Sequence, residues 1–269
     1  MPAIIAIDDP NDPRIAGYRQ VRERDLVGRE GLFVAEGEVV LRMLAAAVRF
    51  EVLSALIAQK RVAGLAPILE TLPPEAPVYA AGQAVMDAIV GFPIHRGILA
   101  LGRRRETPSA DELLAGLPAR ALVVGLFGSA NHDNVGGVFR NAAAFGADAV
   151  ILDQTCCDPL YRKAIRVSVG GVLTVPFARL APGEDAPALL GRHGFTPIAL
   201  SPSGASTLAE LRRPPRAAVL LGAEGPGLPA DLLSRATSVR IPMAPGFDSL
   251  NLATTSGVVL HHLAFMGGE

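Results

Sequence analysis

The stretch that decides the fold lies in the middle of the chain: "ALVVGLFGSANHDNVGGVFRNAAAFGADAVILD", residues 121–153. It begins with an uninterrupted apolar run, passes through a polar loop into helical spacing from about 136 to 145, and ends in a second apolar run. Uninterrupted apolar strands are typical of parallel sheets that are covered on both faces. The stretch therefore predicts a strand–helix–strand unit of a parallel α/β sheet.

The same alternation continues toward the C-terminus. Further strand-like runs, separated by helical segments, are "LTVPF" (173–177), "TPIALS" (196–201), "AAVLLG" (217–222) and "SVRIPM" (238–243). Regular alternation of strands and helices is typical of a doubly wound parallel sheet. We therefore predict one parallel α/β domain over residues 119–269.

A second, smaller block precedes this domain. Residues 14–102 also alternate between helical and strand patterns, and the block of about 90 residues has the size of a small domain. A charged seam that contains Pro and Ser, "RRRETPSADELLAGLP", follows at 103–118. Because this composition suits a connection between domains, the sequence predicts a domain over 1–105, a linker over 106–118 and the parallel domain over 119–269.

The composition bounds the class of protein. Half of the 269 residues are hydrophobic and 19% are charged, so the chain can bury a large core and should not be disordered. The formal net charge is -1, which gives no global basic field for nucleic acid, although a local patch would suffice.

The cysteines and the N-terminus indicate a cytoplasmic location. Cys156 and Cys157 are adjacent, match no zinc or Cys-x-x-Cys spacing, and are expected to be free thiols that are buried or half-buried. The start, "MPAIIAIDDPNDPR", lacks the cationic region and the long apolar core of a secretory signal. No uncharged apolar run is long enough to span a membrane.

The first motif is "NHDNVGGVFRNAAAFGADAV", residues 131–150. Asn134 is expected in the loop after the buried strand, with Gly136 and Gly137 opening a helix and Arg140 in its first turns. Both polar side chains could then face the carboxyl edge of the sheet, where open α/β sheets bind ligands. The alternative is that Asn134 is only a helix cap and Arg140 an ordinary surface residue.

The second motif is the glycine-rich turn "LLGAEGPGLP", residues 220–229, which carries one acid, Glu224. Glycines there allow the backbone to approach a ligand closely. The dinucleotide fingerprint needs the order G-x-G-x-x-G before a helix, whereas this turn reads G-x-x-G-x-G and is followed by Pro229. A nucleotide-binding oxidoreductase is therefore disfavoured, and a tight structural turn stays open as the alternative.

The third motif is "IPMAPGFDSLNLATTSGVVLHHLAF", residues 241–265. Ser249 or Asp248 can cap the helix that follows, which would leave Asn251 surplus to capping. One helical stripe is expected to comprise Leu252, Ser256, Val259, Leu263 and Met266. Small residues in this helix permit the close approach of a partner, while a plain core helix is the alternative.

Together, the order and internal spacing of the three motifs resemble the SpoU (TrmH) family of the SPOUT superfamily. Members of that family are S-adenosylmethionine-dependent RNA 2'-O-ribose methyltransferases. The first block, through "RIAGYRQVRERDLVGREGLFVAEGEVVLRML" and "HRGILALG", resembles the family's N-terminal substrate-binding domain of the ribosomal-protein-L30e-like kind. The resemblance implies a deep trefoil knot in the C-terminal domain. His132 departs from it, since many relatives have Pro at this position.

The resemblance also implies roles for individual residues. The expected catalytic residues are Arg140, Asn134, Glu224, Ser249 and Asn251. The expected S-adenosylmethionine-binding residues are Gly222, Ile241, Met243 and Leu250, and no metal is expected. Arg140 would act as the base or as a clamp on a phosphate, and the clamp is chemically easier because a guanidinium is a poor base.

The resemblance implies RNA as a partner, with ribosomal RNA favoured over tRNA. Phosphate contacts are expected from Arg162, Lys163, Arg166, Arg22 and Arg24, against the alternative of solvated helical faces. A homodimer formed through the knotted domain is expected, with no membrane partner. A catalytically silent RNA-binding protein on the same fold is the alternative function.

Overall fold

The computed structural model describes residues 2–19, 27–28, 31–90, 97–105, 108–247 and 249–266. It confirms the α/β fold class, and it divides the chain into two compact units. The first unit comprises Met1–Glu106 and Leu160–Thr174, and the second comprises Thr107–Pro159 and Val175–Glu269. The return of the chain to the first unit at Leu160 was not anticipated from the sequence. The predicted functional division into two domains and a linker stays a prediction.

The strands in the described part of the chain are β1 (Ile4–Ile7), β2 (Leu32–Glu36), β3 (Phe50–Ala58), β4 (Val78–Ala81), β5 (Ile98–Arg104), β6 (Ala121–Leu126), β7 (Ala149–Leu152), β8 (Phe177–Arg179), β9 (Thr196–Leu200), β10 (Ser206–Thr207), β11 (Arg216–Leu221) and β12 (Thr237–Arg240). The α-helices there are α1 (Glu38–Ala46), α2 (Ala66–Leu69), α3 (Gln83–Val90), α4 (Ala110–Ala115), α5 (His132–Ala144), α6 (Arg162–Val167), α7 (Gly171–Thr174), α8 (Ala186–Arg192), α9 (Ala230–Ser234) and α10 (Leu252–His261). Short 3₁₀ helices occupy Pro13–Tyr18, Gln59–Arg61, Ala63–Leu65 and Leu208–Glu210, and a π-helical turn follows α10 at His262–Met266.

The first unit is built on a mixed sheet with the strand order β1-β4-β3-β5-β2 in its described residues. Strands β1, β4 and β3 are parallel, whereas β5 runs antiparallel to both of its neighbours. Tyr18 joins the 3₁₀ helix to this sheet, because its hydroxyl lies 2.7 Å from Ser54 Oγ and accepts a hydrogen bond from Leu101 N at 3.2 Å. Helix α6 packs beside β2 in the same unit.

The second unit is built on a parallel sheet with the order β10-β12-β9-β11-β6-β7-β8 in its described residues. Every residue of β6 and β7 is buried, which is why both strands read as unbroken apolar runs. The parallel sheet predicted from residues 121–153 is thereby confirmed. Strand β11 lies between β9 and β6, so the carboxyl ends of strands from distant parts of the chain meet at one edge. The predicted trefoil knot stays a prediction.

The seam between the two predicted domains contributes to the core of the second unit. Helix α4 opens with a capping box formed by Ser109 and Glu112, and it buries Ala110 and Leu114 in that core. The Arg216 side chain donates hydrogen bonds to carbonyl oxygens at the end of this helix and just beyond it, including Leu114 O at 2.9 Å. Part of the seam is therefore fixed to the second unit.

Helix α10 packs closely on α5 within the second unit. A Cβ at Gly137 would overlap Ala253, so the glycine permits the close approach. Asn141 Nδ2 donates to Ala253 O at 2.6 Å and to Ser256 Oγ at 2.9 Å. The small residues of α10 thus have a partner inside their own unit. The residues of the expected stripe are buried from Leu252 to Leu263, whereas Met266 is exposed.

Two further expectations concern the thiols and membranes. Both cysteines are free, Cys156 being buried and Cys157 half-buried, which confirms the prediction made for them. Among the described residues, none of the helices combines the length and apolarity that crossing a bilayer requires.

Candidate active site

The first site element is the N-terminal turn of α5. This helix begins at His132, because Asn131 caps it by accepting a hydrogen bond from Asp133 N at 2.8 Å. Asn134 therefore lies in the first helical turn and is buried, not in the preceding loop as expected. Gly136 and Gly137 lie further along the same helix and do not open it. The helix starts earlier than expected because Asn131 provides the N-cap.

Asn251 joins three segments of the second unit. Its Nδ2 donates to Asn134 Oδ1 at 2.8 Å and to Glu224 Oε1 at 3.2 Å. Its Oδ1 accepts from Ala253 N at 2.9 Å and from Thr254 N at 3.3 Å, which makes Asn251 the N-cap of α10. The expectation that Asn251 is surplus to capping was wrong. A side-chain amide carries an acceptor and two donors, so one residue both caps the helix and holds two polar partners.

The glycine-rich turn after β11 is tightly folded. Gly227 N donates to Ala223 O at 3.0 Å, which turns the backbone back on itself. A Cβ at Gly222 would overlap the backbone of Gly227 and Leu228, so only glycine fits there. The turn is therefore tight, and it places the Glu224 carboxylate beside Asn251.

A cavity of about 520 Å³ opens where β9, β11 and β12 end, at the carboxyl edge of the sheet. Its walls include the four residues expected to bind the cofactor, namely Gly222, Ile241, Met243 and Leu250, and also Glu224, Ser249 and Asn251. The volume lies within the range of small-molecule sites, and a mostly apolar wall with a few polar groups is typical of them. The expected cofactor residues are thereby brought together, while their roles stay predictions.

Two cavity residues were missed by the sequence reasoning. Ser201 follows β9 and Thr255 lies in the second turn of α10, and both line the cavity. A serine directly after an apolar strand was a signal for Ser201. Thr255 had no comparable signal, because which side of α10 faces the cavity depends on how that helix packs on α5.

Arg140 stands apart from the hydrogen-bonded group. It is exposed on α5, six residues beyond the buried Asn134. Within the described part of the chain, its guanidinium has no hydrogen-bond or ion-pair partner. The structure thus joins Asn134, Glu224 and Asn251 directly, puts Ser249 on the cavity wall, and leaves Arg140 open to solvent. Asp248, the other expected cap, lies outside the described residues.

The loop between β6 and α5 is anchored by Asp153. One carboxylate oxygen accepts a hydrogen bond from Gly128 N at 2.9 Å, and the other accepts from Cys156 N at 2.9 Å. Burial opposes ionisation of this carboxyl, but these hydrogen bonds and those from Thr155 outweigh it and lower the pKa of Asp153. The approach to the first turn of α5 is therefore held by an ionised, well-bonded carboxylate.

The residues expected to contact RNA phosphates fall into two groups. Arg162 donates through Nε and Nη2 to Glu36 Oε2 at 3.1 and 2.9 Å, and Glu36 is buried. Lys163 and Arg166 are exposed on the same helix, α6. Arg22 and Arg24 lie outside the described residues. A phosphate-binding role for all five stays a prediction, and in the first unit Arg162 also holds α6 to the end of β2.

In the part of the chain that the structure describes, no group of three or more His, Cys, Asp or Glu side chains could hold a metal ion. The polar side chains on the cavity wall are instead one amide, three hydroxyls and one carboxylate, from Asn251, Ser201, Ser249, Thr255 and Glu224.

The chain is similar in sequence to known proteins. The model of the SpoU rRNA Methylase family matches residues 121–261. A protein of Mycobacterium bovis named as an uncharacterized tRNA/rRNA methyltransferase is 41% identical over 263 residues, which cover 94% of this chain and 89% of the relative.

Solved structures share the fold. The AdoMet-bound rRNA methyltransferase from Sinorhizobium meliloti matches with a TM-score of 0.78 and 24% identity over 96% of both chains. A crystal structure described as an RNA 2'-O ribose methyltransferase matches with a TM-score of 0.76 and 23% identity, over 96% of this chain and 97% of the other.

Proposed function

The chain belongs to the SpoU rRNA methylase family, and from this premise we propose that it is an S-adenosylmethionine-dependent RNA methyltransferase that acts on a ribose 2'-hydroxyl. The observation that carries the proposal is the junction at Asn251, which holds Asn134 and Glu224 together at the wall of a cavity of about 520 Å³. This junction combines a small-molecule site with a polar group that can position a second substrate.

The cavity fits S-adenosylmethionine on its own chemistry. Apolar side chains such as Met243 and Leu250 suit an adenine ring, and Gly222 contributes to the cavity wall. We assign adenine and ribose contacts to the backbone at Gly222, Ile241 and Leu250, with Met243 packing nearby. When bound, S-adenosylmethionine supplies an electrophilic methyl group on a positively charged sulfur.

The remaining polar residues position the RNA. Glu224, Asn134 and Asn251 form a connected set, so a ribose held by one of them is fixed relative to the others. Ser249 adds a hydroxyl at the cavity wall. Holding the 2'-oxygen in line with the methyl group supplies much of the rate acceleration.

Arg140 is assigned to a phosphate of the bound RNA. Its exposed guanidinium is available for charge-assisted, bidentate hydrogen bonds to phosphate oxygens. A guanidinium does not ordinarily give up its proton, so we favour the clamp over the base. Neutralising the phosphate next to the reacting ribose also favours the alkoxide character that develops on the 2'-oxygen.

Ribosomal RNA is the favoured substrate, because the first block of the sequence resembles the substrate-binding domain of ribosomal-RNA enzymes. The Mycobacterium bovis relative carries both tRNA and rRNA in its name, and tRNA is the alternative. Free thiols at Cys156 and Cys157 and an RNA substrate both suit the cytoplasm.

A homodimer through the second unit is part of the proposal. The small residues of α10 no longer support it, since they pack on α5. What supports it is an exposed apolar surface at the far end of α10, with Val258, Phe265 and Met266 exposed and the Phe265 ring 5.5 Å from that of His261. Exposed apolar patches mark association surfaces. Light scattering at micromolar concentration should give the dimer mass, and a monomer would contradict this part.

The test of the reaction uses tritiated S-adenosylmethionine and ribosomal RNA that lacks the modification, taken from a strain without the gene. A 2'-O-methyl group blocks alkaline cleavage of the adjacent phosphodiester, so label on ribose appears in alkali-resistant dinucleotides. Label in mononucleotides would mean base methylation and would contradict the proposal. The silent RNA-binding alternative predicts RNA binding without incorporation. Calorimetry with S-adenosylmethionine and with NAD should show binding of the first only.

A further inference from the structure

Five arginines gather at one end of the sheet in the first unit. This arginine cluster consists of Arg42, Arg49, Arg103, Arg104 and Arg105. Helix α1 ends at Ala46, and the short connection to β3 runs beside the end of β5. Arg105 N donates to Arg49 O at 3.3 Å, and Arg105 Nη1 donates to Val48 O at 3.2 Å. Backbone pairing therefore brings arginines from two distant sequence segments together.

The best-fixed member of the cluster is Arg49. Its Nη2 donates to Leu173 O at 3.3 Å, and its guanidinium carbon lies 5.2 Å from the centre of the Phe50 ring. Burial, and after it the nearby charge of Arg104, lowers the pKa of Arg49 to about 10. Two positive charges are thus held close together by the backbone, at a cost that a bound anion would relieve.

A groove of about 420 Å³ runs along this end of the unit. It is lined by Arg42 and Met43 of α1, the connection through Arg49, and Leu173 and Thr174. The carboxylates that pair with cluster members are half-exposed: Glu38 lies 3.4 Å from Arg42, and Glu51 lies 3.5 Å from Arg103. Surface ion pairs of this kind contribute little, so phosphate oxygens can replace these carboxylates.

We infer that the arginine cluster and its groove bind the phosphodiester backbone of RNA. Guanidinium groups match phosphate oxygens in bidentate geometry. Arg42 and Arg49 on the groove wall, with Arg103, Arg104 and Arg105 on the adjoining end of β5, suit more than one phosphate, whereas a single phosphate ion would contact only part of this set. The inference rests on the proposed RNA substrate, and it assigns phosphate contacts in the first unit to residues other than Arg162, Lys163 and Arg166.

The test uses the full chain, because a fragment starting near Ala119 would lose Ala110 and Leu114 from the core of the second unit. The variant is Arg42→Gln with Arg105→Gln, since both side chains are exposed. Binding of a fluorescein-labelled 20-nucleotide RNA hairpin is followed by anisotropy between 0.05 and 0.3 M KCl. Each lost phosphate contact removes about 0.7–0.9 from the slope of log K against log salt concentration. We expect the slope to fall by about 1.6 and affinity at 0.1 M to fall about 30-fold.

Two matched variants separate charge at this site from charge in general. Arg42→Lys with Arg105→Lys keeps both charges and should keep the salt slope within about 0.3. Arg192→Gln with Arg235→Gln removes two exposed, carboxylate-paired arginines of the second unit and should also leave the slope within about 0.3. Thermal unfolding checks that every variant is folded.

The outcomes distinguish this inference from the proposed function. If the glutamine variant binds the hairpin like the wild type, with an unchanged slope, the inference is wrong even where methyl transfer is observed. If the slope falls as expected but the wild type transfers no methyl group, the proposed reaction fails and the RNA surface stands. Sodium phosphate at equal ionic strength should weaken binding no more than KCl does. Much stronger competition would indicate a site for a lone phosphate ion and would overturn the inference.

Discussion

The cavity of the second unit and the arginine cluster of the first unit are built on opposite principles. The cavity is formed by backbone turns and apolar side chains, with Glu224 as the one charged group on its wall in the described residues. The cluster is formed by five half-buried or exposed arginines, of which Arg42 and Arg49 line a groove of about 420 Å³. Ligand binding in the cavity depends on the placement of single atoms, whereas ligand binding at the arginine cluster depends on the amount of positive charge.

The difference predicts how each region responds to change. The affinity of such a cavity for its ligand should fall when one methyl group is added to the wall and should not depend on salt. The affinity of a charged groove for its ligand should tolerate conservative changes of shape and should fall strongly as ionic strength rises.

Arg140→Ala should lower kcat for methyl transfer by about 10² to 10³-fold, because it removes one charge-assisted interaction that is strongest in the transition state. The affinity for S-adenosylmethionine should stay within about threefold, because Arg140 does not line the cavity. Single-turnover transfer and calorimetry measure the two quantities. Arg192→Ala, another exposed arginine of the second unit, is the control. Substantial turnover by the Arg140 variant would reject its assigned role.

Gly222→Ala should weaken S-adenosylmethionine binding by about a hundredfold, because its Cβ would overlap the backbone at Gly227 and displace the turn. The loss should be the same in low and high salt, unlike the loss expected for the arginine cluster. Gly191→Ala is the matched control, since a Cβ there meets nothing within 4 Å and the residue lies in α8. An unchanged affinity in the Gly222 variant would show that the turn does not shape the binding site.

The thiols next to the sheet edge should react on the order of a hundredfold more slowly than an exposed cysteine at pH 8. Burial raises the pKa of the Cys156 thiol to about 12 and that of the Cys157 thiol to about 11, so little thiolate is present. Labelling with iodoacetamide, followed by mass spectrometry, measures the rates before and after unfolding in guanidinium. Fast labelling of the native protein would mean that this edge of the second unit opens readily.

Asn251→Ala should lower the free energy of unfolding by about 1 kcal/mol, because α10 loses its N-cap. Asn251→Asp keeps an acceptor for Ala253 N and so keeps the cap, but it loses the donor to Asn134 and Glu224 and sets a second carboxylate beside that of Glu224. Both variants should lose methyl transfer. Urea unfolding together with transfer assays separates the two roles, and full activity in Asn251→Asp would show that the junction is not needed for catalysis.

Local sequence patterns were sufficient for most of the second sheet. The strand predicted at 173–177 was wrong, because Gly171–Thr174 form α7 and β8 begins only at Phe177, and the short β10 was not predicted. Strands β6 and β7 are buried on both faces, and this burial requires unbroken apolar runs that are visible without any knowledge of contacts. The three motifs were also found at strand ends, where polar residues follow apolar ones. Membership of the SpoU family then supports the reaction more than any single residue does.

Long-range contacts explain what the sequence did not reveal. Residues 160–174 belong to the first unit through contacts with distant residues, such as the Arg162–Glu36 ion pair between positions more than a hundred residues apart. Contacts of this range leave no pattern in the local sequence. Asp, Ser and Asn are all favoured at N-cap positions, so the sequence alone did not show which of Asp248, Ser249 and Asn251 caps α10. The small residues of α10 indicated a close partner, but only the packing identifies that partner as α5.

The central claim is that the junction at Asn251 and the exposed Arg140 form the active site of a ribose methyltransferase. Mapping every 2'-O-methyl group in total RNA tests it most directly, in a strain without the gene and in the same strain supplied with the wild type or with Arg140→Ala. We predict that a ribose methyl group is missing without the gene, is restored by the wild type, and is not restored by the Arg140 variant. Loss of a base methyl group instead, or full restoration by the Arg140 variant, would contradict the claim.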